Sequence, residues 1–168
     1  IKISMKDATS EQITKALNNG FGKSEYTYGI GIDTAMSVSS ASILTFKFTY
    51  PVSIEKEQAI TKYVKDTAAN IFNDQMTDFQ KVRAAYEYII TNTNYAQAPV
   101  EDGGGHSIYS IVKDGIGVCQ AYALLFQRLM EEEGIASKYI VGVAGGINHA
   151  WNLVTIDGKT YHIDATYG

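Results

Sequence analysis

The run "INHAWNLVTIDGKTYHIDAT", residues 147–166, constrains the fold more than any other stretch. Asp157–Gly158 separates two strand-like segments, and Asp-Gly is the dipeptide that best tolerates the positive φ angles of a two-residue hairpin turn. Such a turn sets residue 156 opposite 159, Trp151 opposite Asp164, and His149 opposite Thr166. His149 and Asp164 then become diagonal neighbours on one face, roughly 5–8 Å apart at the backbone, which side chains can bridge. A carboxylate so placed holds an imidazole in one tautomer and stabilises its protonated form. A one-residue bulge would destroy this register, so the pairing depends on the turn.

Upstream of the hairpin the period changes from two to that of a helix. Residues 8–19 predict a short helix opened by Thr9 or Ser10 and stopped at Gly20. Leu44, Phe46, Phe48 and Tyr50 alternate with polar residues over 42–50 and predict a half-buried strand closed by Pro51. Ser53 opens a helix with Glu55 and Glu57 in its first turn and Ile60, Val64 and Ile71 on its apolar face. Thr77 and Gln80 form a capping-box pattern ahead of Val82, Ala85, Tyr86 and Ile89. A long polar loop follows through "GGGHS", and then a helix with Val118, Tyr122, Leu125 and Leu129 on one side and Gly134 as its stop. "SKYIVGVA", "INHAWNLVTI" and "KTYHIDAT" predict three successive strands. Helices followed by an antiparallel sheet make an α+β layout.

Cys119, the only cysteine, falls at the mouth of the helix that ends near Gly134. A helix start offers unpaired N–H groups and partial positive charge. It stabilises a thiolate, and the same N–H groups suit a developing oxyanion. A small buried hydrophobe is the alternative that position alone leaves open. Cys119, His149 and Asp164 thus offer a nucleophile, a base and an orienting acid from three elements.

"GVCQAYALLFQRLMEEEGI", "NHAWNLV" and "DGKTYHIDATYG" resemble the three signature blocks of the transglutaminase-like superfamily of papain-fold cysteine enzymes. The matching positions are Val118, Cys119, Tyr122 and Ala123, then His149, Ala150, Trp151 and Asn152, and finally Asp164 and Thr166. "TDFQKVRAAYEYIITNTNYA" is similar to the helix preceding the core in bacterial members. The resemblance implies a papain-like core with the cysteine helix packed on an antiparallel sheet. It also implies a Cys119–His149–Asp164 triad that attacks protein or peptide amides through a thioester, resolved by an amine or by water. A module keeping this fold without turnover is the competing reading.

Other residues are weighed beside the triad. Tyr95 stands where related bacterial sequences carry an aromatic, and is read either as an oxyanion donor or as packing against the sheet. Gln120 follows the nucleophile and is a candidate supporting residue; Gly117 and Trp151 are candidates for the substrate cleft, with Trp151 more readily a core aromatic pinning the hairpin. His106 reads as an exposed loop residue and His162 as a structural histidine. Glu131, Glu132 and Glu133 read as a solvated face.

A net charge of −4 without a Lys/Arg cluster argues against nucleic acid as a partner. The apolar runs are too short to span a bilayer. One cysteine and scattered histidines supply no zinc set, and no loop has calcium-site spacing, so neither metal nor cofactor is expected. Residues 1–76 are read as an N-terminal α/β extension and 77–168 as the catalytic core. The loose similarity of the first segment to regions in secreted Gram-positive proteins implies an extracellular or cell-surface bacterial setting.

Overall fold

A computed structural model of the chain describes residues 52–97 and 105–168 continuously, and before them residues 2–4, 9, 11–12, 15, 31–33, 43–45 and 47–49. The chain divides into two compact units, Ile1–Val52 and Ser53–Gly168. The second begins earlier than the Thr77 start expected for the core, because the helix after Ser53 buries Ile60, Val64, Thr67 and Ala68.

In the first unit, β1 (Lys2–Ser4) pairs antiparallel with β3 (Ile43–Thr45), and β2 (Gly31–Asp33) pairs antiparallel with β4 (Lys47–Thr49). The strand expected over 42–50 is therefore two short strands with different partners. Of the helix expected over 8–19, Glu11, Gln12 and Lys15 are described and helical; its other residues lie outside the description, Thr9 excepted. Thr9 and Gln12 cap its start reciprocally, each main-chain N–H donating to the other's side-chain oxygen.

The second unit opens with α1 (Ile54–Ile71), capped by Ser53, and α2 (Asp78–Asn92), which carries the full Thr77/Gln80 capping box. Next come β5 (Asn94–Tyr95), α3 (Ile108–Asp114), β6 (Ile116–Gly117) and α4 (Cys119–Glu132). The sequence reading passes over α3, although Ser107 caps its start and Gly115, at φ 66°, closes its end in the left-handed conformation. The stretch between Asn92 and Cys119 thus holds a further turn of structure that brings β6 alongside β5 in parallel, Tyr95 opposite Gly117.

Helix α4 is central. It packs on β7 (Ser137–Ala144) and β8 (Ile147–Ile156) on one side and on α1, α2 and α3 on the others. Leu125, Phe126, Leu129 and Met130 are fully buried along it, and each contributes about 1.5–3 kcal/mol of hydrophobic stabilisation. A helix covered on nearly all sides needs its polar residues satisfied, and Gln127 donates to the Ser137 carbonyl at 3.0 Å. Asn152 of β8, only 2% exposed, donates to the Ala123 carbonyl at 3.0 Å and pins the sheet to α4. Glu133 does not fit the solvated-face expectation. It forms a half-buried pair with Lys81 at 2.6 Å, joining the end of α4 to the start of α2. Glu131 accepts from Gln127 Nε2 at 3.3 Å.

The sheet is antiparallel, in the order β7-β8-β9, with β9 at Lys159–Ile163. Gly145–Gly146 and Asp157–Gly158 all have positive φ, as two-residue hairpin turns require. The β8–β9 register runs from Ile156↔Lys159 to Asn152↔Ile163, the pairing that the Asp-Gly turn predicts. The expected third strand stops short at Ile163. Asp164 turns out of the ladder and caps a 3₁₀ turn, Ala165–Tyr167, accepting the Thr166 N–H at 3.0 Å.

Candidate functional site

Cys119 is the first residue of α4, and the cap position before it, Val118, gives no side-chain cap to the first-turn N–H groups. The Val118 N–H is taken by the Gly105 carbonyl at 3.0 Å, which ties the glycine-rich loop to the helix mouth. The thiol is free and partly exposed, and the residue packs against the cluster of Ala123, Tyr139 and Ala150.

His149 lies next to Ala150 on β8 and is 4% exposed. Its Nε2 is 2.7 Å from Asp164 Oδ2. The ladder ends before His149 and Thr166 could pair, yet the two side chains meet, because Asp164 leaves the strand on the face that the register assigns to it. One carboxylate oxygen takes the imidazole and the other takes the Thr166 N–H. The carboxylate is therefore fixed at both oxygens and stays 28% exposed.

Tyr95 lies beside Cys119. Partial burial first, and then the charge of Cys119, raise the Tyr95 hydroxyl above the usual tyrosine range, while the hydrogen bond with the Cys119 main chain opposes the rise. Its hydroxyl engages both the Cys119 main chain and its side chain, and Tyr167 also acts on it. The Tyr167 ring in turn lies 5.1 Å from the His149 ring, tilted by 46°. Tyr167, His149 and Asp164 thus form one contact group, with Tyr95 beside Cys119.

The remaining candidates separate. Gln120 faces the loop side of α4, where its Oε1 is 3.2 Å from Nδ1 of the exposed His106. Trp151 stacks on His149 with ring centroids 5.9 Å apart. Gly117 is buried, and a Cβ there would lie 3.0 Å from the Ala121 Cβ and 3.1 Å from Ile111 Cγ1. Its missing side chain points toward Ala121 and Ile111, so a larger residue there crowds the packing between α3 and α4. His162 pairs with Leu153 on β9, is exposed, and accepts the Trp151 indole N–H at 2.8 Å.

Two residues beside His149 escape the sequence reading. Tyr167 follows Thr166 directly, and an aromatic just after the aspartate motif is the signal for it. Gly142 sits mid-strand opposite His149, where a glycine marks close approach of another group. Among the described residues, no three His, Cys, Asp or Glu side chains are grouped to hold a metal, and no helix is long and apolar enough to cross a membrane.

A cysteine at the mouth of a buried helix, and a histidine on an adjoining antiparallel sheet paired with an aspartate just past its last strand, define a transglutaminase-like arrangement. The family profile of the transglutaminase-like superfamily matches residues 65–165, and the chain belongs to that superfamily. Human kyphoscoliosis peptidase is 25% identical over 117 residues, a match covering 61% of this chain and 18% of the relative. The mouse protein of the same name is 23% identical over 119 residues, with 62% and 18% covered. The chain thus spans under a fifth of the length of the curated relatives it matches. Among solved structures, a candidate cysteine protease from Cytophaga hutchinsonii superposes with a TM-score of 0.54 at 20% identity, covering 68% of this chain and 43% of the other. A TGase structure gives a TM-score of 0.54 at 18% identity, covering 99% of this chain and 50% of the other.

Proposed function

We propose that this chain catalyses thiol-dependent acyl transfer or hydrolysis on protein or peptide amides, with Cys119 as nucleophile, His149 as base and Asp164 as the group that orients it. The observation that carries the reading is the 2.7 Å contact between His149 Nε2 and Asp164 Oδ2. With Nε2–H donating to the carboxylate, the ring's lone pair resides on Nδ1, the nitrogen left for the thiol. The thiol proton passes to Nδ1 as sulfur attacks the amide carbonyl carbon. The oxyanion is met by N–H groups at the start of α4, with the neutral Tyr95 hydroxyl beside them. The C–N bond then breaks as Nδ1–H protonates the departing nitrogen, which releases ammonia or an amine and leaves an acyl-thioester on Cys119. Water or a second amine loses a proton to Nδ1, attacks the thioester, and frees the sulfur.

The triad serves both outcomes, so the acceptor is decided by experiment. A glutamine-containing peptide is incubated with a labelled primary amine and scored for amine incorporation, ammonia release and peptide cleavage. Incorporation or ammonia release identifies attack at the side-chain amide; cleavage identifies attack at the main chain. Either signal vanishes in Cys119→Ala. If a broad panel of peptides gives none of the three, the superfamily's fold serves here as a binding module.

A further inference from the structure

The indole of Trp151 is held from two sides that the proposed chemistry does not use. On one side its Nε1–H donates to Nδ1 of His162 at 2.8 Å, with the two rings 6.2 Å apart. On the other its six-membered ring lies over Gly142, where a Cβ would come within 2.6 Å of Trp151 Cη2. Gly142 is the register partner of His149, and Trp151 is two residues on from His149 along the same face of β8. The ring so fixed stacks on His149 with an interplanar angle of 19°. The same imidazole also meets Tyr167.

We infer that His162 and Gly142 are positioning residues that fix Trp151 as a wall behind His149, so that an exposed histidine on β9 acts on the base through the indole. The inference rests on His149 being the base for Cys119. An imidazole bonded at one nitrogen still turns about its Cβ–Cγ bond, and a flat ring stacked on it restricts that torsion. The indole does this only while its own tilt is fixed. Its N–H needs an acceptor, which the unprotonated Nδ1 of His162 supplies, and its far edge needs the space that glycine leaves. Loss of one neutral hydrogen bond in such a chain corresponds to about a two- to tenfold effect on the step it supports.

Trp151 is the only tryptophan, so its indole N–H gives a single assignable proton resonance. The test pairs that resonance with the rate of Cys119 alkylation by iodoacetamide in wild type, His162→Leu, His162→Gln and Trp151→Phe. His162→Leu is expected to shift the indole resonance and slow alkylation about two- to tenfold. His162→Gln, which keeps an acceptor, is expected to restore both, and His162→Leu should add nothing in the Trp151→Phe background. Gly142→Ala should slow alkylation with His162 intact. Wild-type alkylation in His162→Leu overturns the inference, as does an equal slowing in the Trp151→Phe background. A His149→Ala protein alkylated at the wild-type rate overturns instead the assignment of His149 as base, and the inference falls with it.

Discussion

His149 and Asp164, fifteen residues apart in the chain, meet at 2.7 Å because Asp164 steps out of the β-ladder one residue after its last pair. Past the ladder, the second carboxylate oxygen accepts the Thr166 N–H. The aspartate is thereby oriented by the turn it caps, and the imidazole is oriented by the aspartate.

Asp164→Asn is expected to keep the 3₁₀ turn, since an amide oxygen still accepts the Thr166 N–H. It removes the charge that stabilises the imidazolium. Turnover should fall on the order of a thousandfold or more, with the thermal midpoint close to wild type. Steady-state kinetics beside a circular-dichroism melt reads both, and undiminished turnover would make Asp164 a purely structural cap.

Tyr95→Phe removes the hydroxyl that engages Cys119. Because partial burial and Cys119 hold that hydroxyl above the usual tyrosine range, it remains a neutral donor at physiological pH. Loss of an oxyanion donor costs about a hundredfold in turnover. KM should change little, and a change confined to KM would place Tyr95 in substrate binding instead.

Tyr63 is partly buried and hydrogen-bonded to Tyr88 at 2.9 Å, and burial first, then that bond, pushes its hydroxyl well above the ordinary range. A raised tyrosine value contributes stability that is complete below the unfolded value near pH 10. That contribution is lost as pH rises toward the folded value. Urea unfolding of Tyr63→Phe above about pH 10 should therefore show a shallower alkaline loss than wild type. Parallel curves would mean that the tyrosine pair does not drive it.

Gly117→Val tests the packing account of the helix mouth. Gly117 is outside the left-handed region, so no backbone strain is involved. The added carbons meet Ala121 and Ile111, and overpacking of this kind costs about 1–3 kcal/mol. Chemical denaturation should show that loss, and an unshifted midpoint would mean the α3–α4 contact yields freely.

Much of the second unit was legible because local chemistry decides it. The Asp-Gly turn fixes the β8–β9 register, and Thr77 with Gln80 fixes the start of α2. The end of β9 was not legible, since the alternating pattern continues through Thr166 while the Asp164 side chain competes with the ladder for a main-chain N–H. Helix α3 is seven residues long, too short for periodicity to mark, and only its caps announce it. The pairings of Tyr95 with Gly117 and of Glu133 with Lys81 join segments distant in the chain, so no window of sequence contains them. Cys119, His149 and Asp164 were each named from the sequence; Tyr167 and Gly142 act through contacts that exist only once the sheet and the 3₁₀ turn are formed.

The central claim, that His149 serves Cys119 as its base, is tested most directly by the rate of iodoacetamide alkylation at about pH 6, where an ordinary free thiol is almost wholly protonated. Wild-type Cys119 should react well ahead of a free thiol, and His149→Ala should bring the rate down to the free-thiol value while the protein stays folded. Equal rates in the two folded proteins would contradict the claim.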